Sequence, residues 1–143
     1  MLTVKDWMST PVLSLTENDS LHDARELMDQ HRIRHIPIVN VQGEFVGLTS
    51  HRDMLSATIS QLAELDPETQ QEIDAGIPLR EIMSMETATL SPDDSIRNAA
   101  EILLNNKFGC MPVLEGNKLV GILTEADFLK LTIKLMEALN EID

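Results

Sequence analysis

Two short constellations carry side chains able to do chemistry. Ser50 stands three residues before Asp53 in GLTSHRD (Gly47 to Asp53), and Thr124 three before Asp127 in GILTEAD (Gly121 to Asp127). A hydroxyl followed at that distance by an acid has the spacing of a helix start, where the hydroxyl caps free backbone amides and the acid lies in the first turn. Capping alone accounts for one such pair. Here there are two, each directly after an apolar run broken by a glycine (Phe45, Val46, Leu48; Leu119, Val120, Ile122, Leu123). A hydroxyl and a carboxylate at a strand-to-helix corner can bind a sugar diol, and the free amides favour an anion. A nucleotide offers both.

The elements that position these pairs occur twice. Met8, Ser9, Leu15, Asp19, Ser20, Ala24, Glu26 and Pro37 recur 75 residues later as Met83, Ser84, Leu90, Asp94, Ser95, Ala99, Glu101 and Pro112. After the prolines the shift drops to 74, a one-residue gap in the turn near Gln42 and Gly43, where length changes are tolerated. Each copy reads as a short extended run (Val12 to Leu15; Thr87 to Leu90), then a helix capped by the Asp-Ser of ENDS or PDDS. Leu21, Ala24, Leu27 and Met28, like Ile96, Ala99, Ile102 and Leu103, give each helix one buried stripe. His35 to Val39 and Cys110 to Leu114 are extended, and the proline in each suggests an edge or strand-entry position. A glycine turn then forms a hairpin, and the second helix opens at the hydroxyl residue. In the first copy Met54, Leu55, Ile59 and Leu62 carry that helix's apolar stripe. Residues 66–77, with Asp66 as cap and Pro67 as first helical residue, form an acidic linker helix between a first repeat (1–65) and a second (78–143). The last helix, about Glu125 to Glu141, is apolar on more than one face, which suggests burial against a second chain.

Composition sets the limits. A chain of 143 residues fits one compact unit, with two halves expected to share a core. Eleven Lys and Arg against 24 Asp and Glu, a net charge of −13, oppose general attraction to nucleic acid or to anionic membranes, so any anion site must be local. One cysteine, Cys110, excludes an internal disulfide and fits a reducing compartment. The start MLTVKDWM lacks a secretory pattern and no run approaches about 20 apolar residues, so a soluble, cytoplasmic protein is expected, without membrane or nucleic acid as partner.

With the repeat laid out, the sequence resembles a tandem pair of cystathionine-β-synthase-type (CBS) domains, a Bateman module, from about Val4 to Lys134. The motifs that carry the resemblance are VKDWM and LREIM, HIP and CMP, and VGLTSHRD and VGILTEAD. HRIRHIPIV is similar in wording to small stand-alone bacterial members of the acetoin-utilisation type. The resemblance implies an α+β fold: two β-α-β-β-α units about a pseudo-twofold axis, small mixed sheets with flanking helices, and up to two clefts for adenosine-containing ligands. It also implies disc-like dimers. By position, Asp53 and Asp127 are the ribose-binding acids and Ser50 and Thr124 the accompanying hydroxyls. The backbone of His35-Ile36-Pro37 and Cys110-Met111-Pro112 faces the adenine, and Val12 and Thr87 line the same pockets. Phosphates then need cations. His31, Arg32, Arg34, His35, His51 and Arg52 gather near the first copy's motifs, whereas the second copy has Lys107 and replaces Arg52 with Ala126, so unequal sites are expected. Asp53 and Asp127 are both expected at solvent-reachable helix starts.

Other readings fare worse. HRD at His51 to Asp53 matches part of a kinase catalytic loop, but the Asn expected five residues after the Asp is Thr58, and no glycine-rich phosphate loop exists. His31 and His35 are four apart, yet a strand beginning at His35 breaks the helical spacing that paired metal ligands need. Cys110 lies in a predicted buried strand without a CxxC partner, which favours core filler over nucleophile. The expectation is a non-enzymatic regulatory module, needing no cofactor, that binds AMP, ADP or ATP, with S-adenosylmethionine or NAD also compatible. It is expected to be a homodimer, and with no attached output domain it would regulate a protein partner in trans. A dimeric scaffold with unoccupied clefts is the alternative.

Overall fold

The computed structural model describes residues 2–59, 66–106 and 108–142. The fold is α+β, and the chain forms two compact units whose boundaries cut across the sequence repeat. One unit is Leu13–Thr87; the other joins Met1–Val12 to Ala88–Asp143. Each therefore consists of one repeat's body and the other repeat's opening segment. The linker helix lies inside the first of these units.

In the Leu13–Thr87 unit, strand β1 (Leu15–Thr16) runs parallel to β2 (His35–Val39), which pairs antiparallel with β3 (Phe45–Ser50). Pro37 thus lies in the middle strand rather than on an edge. Its missing donor is harmless because β1 joins β2 only at Ile38 and Val39. The paired part of the first run, Leu15–Thr16, is shorter and later than expected. Helix α2 (Leu21–His31) begins at Ser20, whose hydroxyl accepts the Asp23 amide while the Asp23 carboxylate accepts the Ser20 amide. Its stripe of Leu21, Ala24 and Met28 is buried with Ile36, Ile38, Met54 and Leu79 in one core. Helix α3 (His51–Ile59) buries Met54 but leaves Leu55 exposed, against the stripe predicted for it; Leu62 and the side chain of Ile59 lie outside the described residues.

The linker helix α4 (Pro67–Ala75) has Asp66 as N-cap and Pro67 at its first turn, as the sequence predicts. The Thr69 amide, donating at 2.7 Å, holds the Asp66 carboxyl below its ordinary range. A partly buried ion pair then docks α4 on α2. Arg25 Nε lies 2.9 Å from Asp74 Oδ2 and Gln70 Nε2 2.8 Å from Asp74 Oδ1, with Asp74 only 1% exposed. Removing Arg25 would leave a buried carboxylate without its cation, which is the costly direction.

In the other unit Leu90 bridges Val113 of β4 (Cys110–Glu115), and β4 pairs antiparallel with β5 (Lys118–Thr124). Pro112 is likewise flanked on both sides, and its carbonyl accepts the Leu90 amide at 2.9 Å. Helix α5 (Ile96–Asn106) buries Ile96, Ala99 and Leu103 with Val4, Met111, Val113, Leu123 and Leu131. Each unit therefore has its own core, and each core is built by both repeats: Val4 of the first packs among second-repeat residues, and Leu79 of the second among first-repeat residues. The two hairpin turns explain the one-residue gap. Asn40 Oδ1 accepts the amides of Gln42 and Glu44 across the longer turn, whereas β4 and β5 are joined by Gly116 and Asn117 alone.

The opening segments dock in matching ways. Val4 and Lys5 donate backbone amides to the carbonyls of Asp94 and Pro92; Leu79 and Arg80 donate theirs to Asp19 and Glu17. Helix α1 (Val4–Trp7) and a 3-10 turn (Leu79–Glu81) are the counterparts. The last helix, α6 (Glu125–Ile142), buries Asp127 and Leu131, but every residue from Thr132 to Asn140 is exposed, Ile133, Leu135, Met136 and Leu139 among them. No helix among the described residues is long and apolar enough to cross a membrane.

One core position departs from its counterpart. Thr49 faces the core of its unit where the other unit places Leu123; it is fully buried, and its hydroxyl has no hydrogen-bond partner among the described residues. Thr49→Val should raise the unfolding free energy by about 1 kcal/mol, since it removes an unpaired buried hydroxyl and keeps the shape. Urea denaturation of the two proteins, compared at equal slope, measures this.

Candidate functional site

Both hydroxyl-acid pairs sit where β3 and β5 turn into α3 and α6. At the first corner the Ser50 amide donates to Asp53 Oδ2 at 2.9 Å and the Asp53 amide donates to Ser50 Oγ at 3.1 Å. At the second the Thr124 amide donates to Asp127 Oδ2 at 2.9 Å, and Thr124 Oγ1 lies 3.3 Å from the same oxygen. Each acid is thus fixed by capping through one oxygen. Cross-strand register sets His35 opposite Ser50 and Cys110 opposite Thr124.

The glycine ahead of each corner marks a close approach. An antiparallel bridge joins Ser84 to Leu48, and the Met83 side chain then lies over Gly47: a β-carbon there would meet its sulfur at 2.7 Å and the Ser84 carbonyl at 3.2 Å. Ser9 bridges Ile122 in the same way, and the Met8 sulfur covers Gly121 even more closely. Each corner is therefore walled by the opening segment of the other repeat.

This arrangement redistributes the predicted site residues. Val12 belongs to the unit that holds Thr124 and Asp127, and Thr87 to the unit that holds Ser50 and Asp53. Ile36, Pro37, Met111 and Pro112 are buried strand residues, Ile36 across from Thr49 and Met111 across from Leu123. Arg34 and Arg52 are exposed, and the Arg34 carbonyl accepts the His51 amide at 2.8 Å, which brings the HRIRH and SHRD segments together. His31, Arg32 and His51 are also exposed there, and none of the three arginines makes an ion pair among the described residues. Lys107 lies outside the described residues. Burial pushes the Cys110 thiol up to about 12, so it stays protonated and unreactive at neutral pH, as core filler should. Among the described residues no group of three or more His, Cys, Asp or Glu is placed to hold a metal.

The two acids differ in access. Asp53 is half-buried, but Asp127 is 4% exposed, which corrects the expectation that both are solvent-reachable. A residue not singled out as functional also engages Asp127. Ser9 Oγ donates to Asp127 Oδ1 at 3.0 Å and covers the second oxygen. The hydroxyl of its repeat partner Ser84 instead points to the Glu86 carbonyl, a long contact of 3.4 Å. Ser9 and Ser84 were visible as a repeat match; that each faces the other copy's motif was not.

The family model for the CBS domain matches residues 4–60 and 79–134. The chain belongs to the CBS-domain family. It is 32% identical over 127 residues to the CBS domain-containing protein YhcV of Bacillus subtilis, which covers 89% of this chain and 83% of that one. Among solved structures, AcuB from Vibrio cholerae superposes with a TM-score of 0.85 at 32% identity, covering 99% of this chain and 97% of that one. The CBS domain pair of protein MJ0100, solved with 5′-methylthioadenosine and S-adenosyl-L-methionine, gives a TM-score of 0.76 at 25% identity, covering 91% and 94%. Pairs of CBS domains commonly act as regulatory modules that bind adenosyl ligands.

The glycine of each CBS motif is thus a packing requirement. Gly47→Ala should cost about 1 to 3 kcal/mol of stability, because the added methyl must displace Met83 and press on the Ser84 carbonyl. Shortening the thioether in Met83→Ala should recover part of that loss in the double variant, and thermal unfolding of the four proteins reads the coupling.

Proposed function

We propose that this chain is a non-enzymatic regulatory module that binds an adenine nucleotide or a related adenosyl ligand at its two corners, Ser50 with Asp53 and Thr124 with Asp127, and signals through conformation or partner contacts. The observation that carries this reading is Asp53. One of its oxygens is fixed by the Ser50 amide, and the other accepts nothing among the described residues, so an oriented acceptor stands ready for a sugar hydroxyl at a helix start. The adenosyl compounds found with the MJ0100 pair share such a sugar and support the choice of ligand class. A ligand of this kind can signal only by binding two shapes of the module unequally.

We assign phosphorylated ligands to the Asp53 corner, because Arg34, Arg52, His31 and His51 are exposed and the arginines make no ion pair among the described residues, in a chain of charge −13. Calorimetry with AMP, ADP, ATP, S-adenosylmethionine and NAD tests the reading. Asp53→Ala should weaken binding ten- to a hundredfold, for the loss of a charged acceptor worth about 1.5 to 3 kcal/mol, with cooperative unfolding retained. Any advantage of ATP over AMP should shrink with added salt and in Arg52→Ala. Affinities indifferent to Asp53 would remove the ribose role.

The same module is proposed to work as a homodimer. Half of α6 offers only exposed surface, and Leu129 and Leu139 are 65% and 63% exposed, an apolar face that a second chain would cover. Sedimentation should show a dimer at micromolar concentration, and Leu135→Glu with Leu139→Glu should yield a folded monomer. A monomeric parent protein would refute the assembly.

A further inference from the structure

We propose that Ser9 is an internal occupant of the Asp127 corner: its hydroxyl holds the carboxylate oxygen that a ligand hydroxyl needs, so ligand must displace Ser9 there while the Asp53 corner stands open. The inference rests on the adenosyl-binding reading given above, and it decides how the two sites divide the work.

The comparison is internal, between two copies of one motif. At the Asp127 corner both carboxylate oxygens are engaged: Oδ2 accepts the Thr124 amide at 2.9 Å and Oδ1 accepts Ser9 Oγ at 3.0 Å. Asp127 is 4% exposed. At the Asp53 corner Oδ2 accepts the Ser50 amide at 2.9 Å, and Ser84, the repeat counterpart of Ser9, leaves Oδ1 alone. Asp53 is half-buried. The opening segments are otherwise placed alike, each bridged to its strand two residues before the hydroxyl of the motif and each carrying a methionine over the motif's glycine. The bridges therefore do not separate the corners; hydroxyl directions do, Thr124 Oγ1 turning to its acid where Ser50 Oγ accepts an amide, and Ser9 reaching the acid's second oxygen where Ser84 does not.

The chemistry of displacement is mild. Ser9 is itself exposed, so on turning away its hydroxyl exchanges the carboxylate for water, and a ligand hydroxyl takes over the donation to Oδ1. What is lost is one hydrogen bond to a charged acceptor, and that loss subtracts directly from affinity at this corner. Displacement also removes the only side-chain hydrogen bond described between the opening segment and the start of α6. Occupancy of the second corner thereby reaches the segment that carries α1.

Calorimetry of this chain with AMP separates the outcomes. Asp53→Ala leaves only the Asp127 corner, and in that background Ser9→Ala should tighten AMP about five- to tenfold, for one hydrogen bond no longer displaced. Adenine, which has no hydroxyl to place on Oδ1, should bind Asp53→Ala with or without Ser9→Ala equally well; a merely loosened segment would change both probes. Ser9→Thr should restore the weaker AMP affinity. Ser84→Ala should leave AMP binding unchanged. Equal or weaker AMP binding on adding Ser9→Ala, with residual binding present, would overturn the internal-occupant role and spare the adenosyl-binding reading. Absence of AMP and S-adenosylmethionine binding in the parent protein would overturn both.

Discussion

The approach of a methionine to a glycine backbone governs much of this structure. At Gly47 and Gly121 the strand that leads to the functional corner has no side chain, and the sulfur of Met83 or Met8 occupies the space a β-carbon would need. This contact sets how near the opening segment can come, and nearness lets the segment bridge its strand at Ser84 or Ser9. The bridge in turn fixes which residues wall each corner. Packing at this density tolerates little change in volume, so two glycines that look like punctuation in the sequence act as contact surfaces.

The corners show how capping and recognition share the same atoms. A carboxylate that accepts an amide at a helix start is already oriented and partly desolvated, and it retains a second oxygen. Neither reading of the hydroxyl-acid pair displaces the other: capping fixes the acceptor that binding would use. The charge difference follows the same division. The exposed arginines collect at the corner whose acid is open, and the corner with Ser9 has Ala126 where the other has Arg52.

Much of this was legible in the sequence because the signals were local. The repeat, the caps at Ser20, Ser95 and Asp66, the buried stripes of α2 and α5, and the helix starts at His51 and Glu125 all follow from spacing within a few residues. Contacts over long separations were less visible. No pattern announces that Arg25 meets Asp74, and the second copy, with Ala100 at the corresponding place, gives no hint. Pro37 and Pro112 suggested edges because a lost donor is evident from sequence, whereas the offset at which β1 or Leu90 joins the sheet is not. Asp127 looked as open as Asp53, since the residue that covers it comes from the opposite end of the chain.

That crossing of the chain has a consequence for biosynthesis. Residues 13–87 emerge from the ribosome as a complete packing unit, but the first twelve residues belong with partners that follow residue 88. At elongation rates of about 5 to 20 residues per second, Val4 and Met8 wait roughly 5 to 25 s for β5 to be made. While residues 88–124 are being made, the partners of Val4, Trp7 and Met8 do not yet exist, so these apolar side chains stay uncovered until the second unit closes around them.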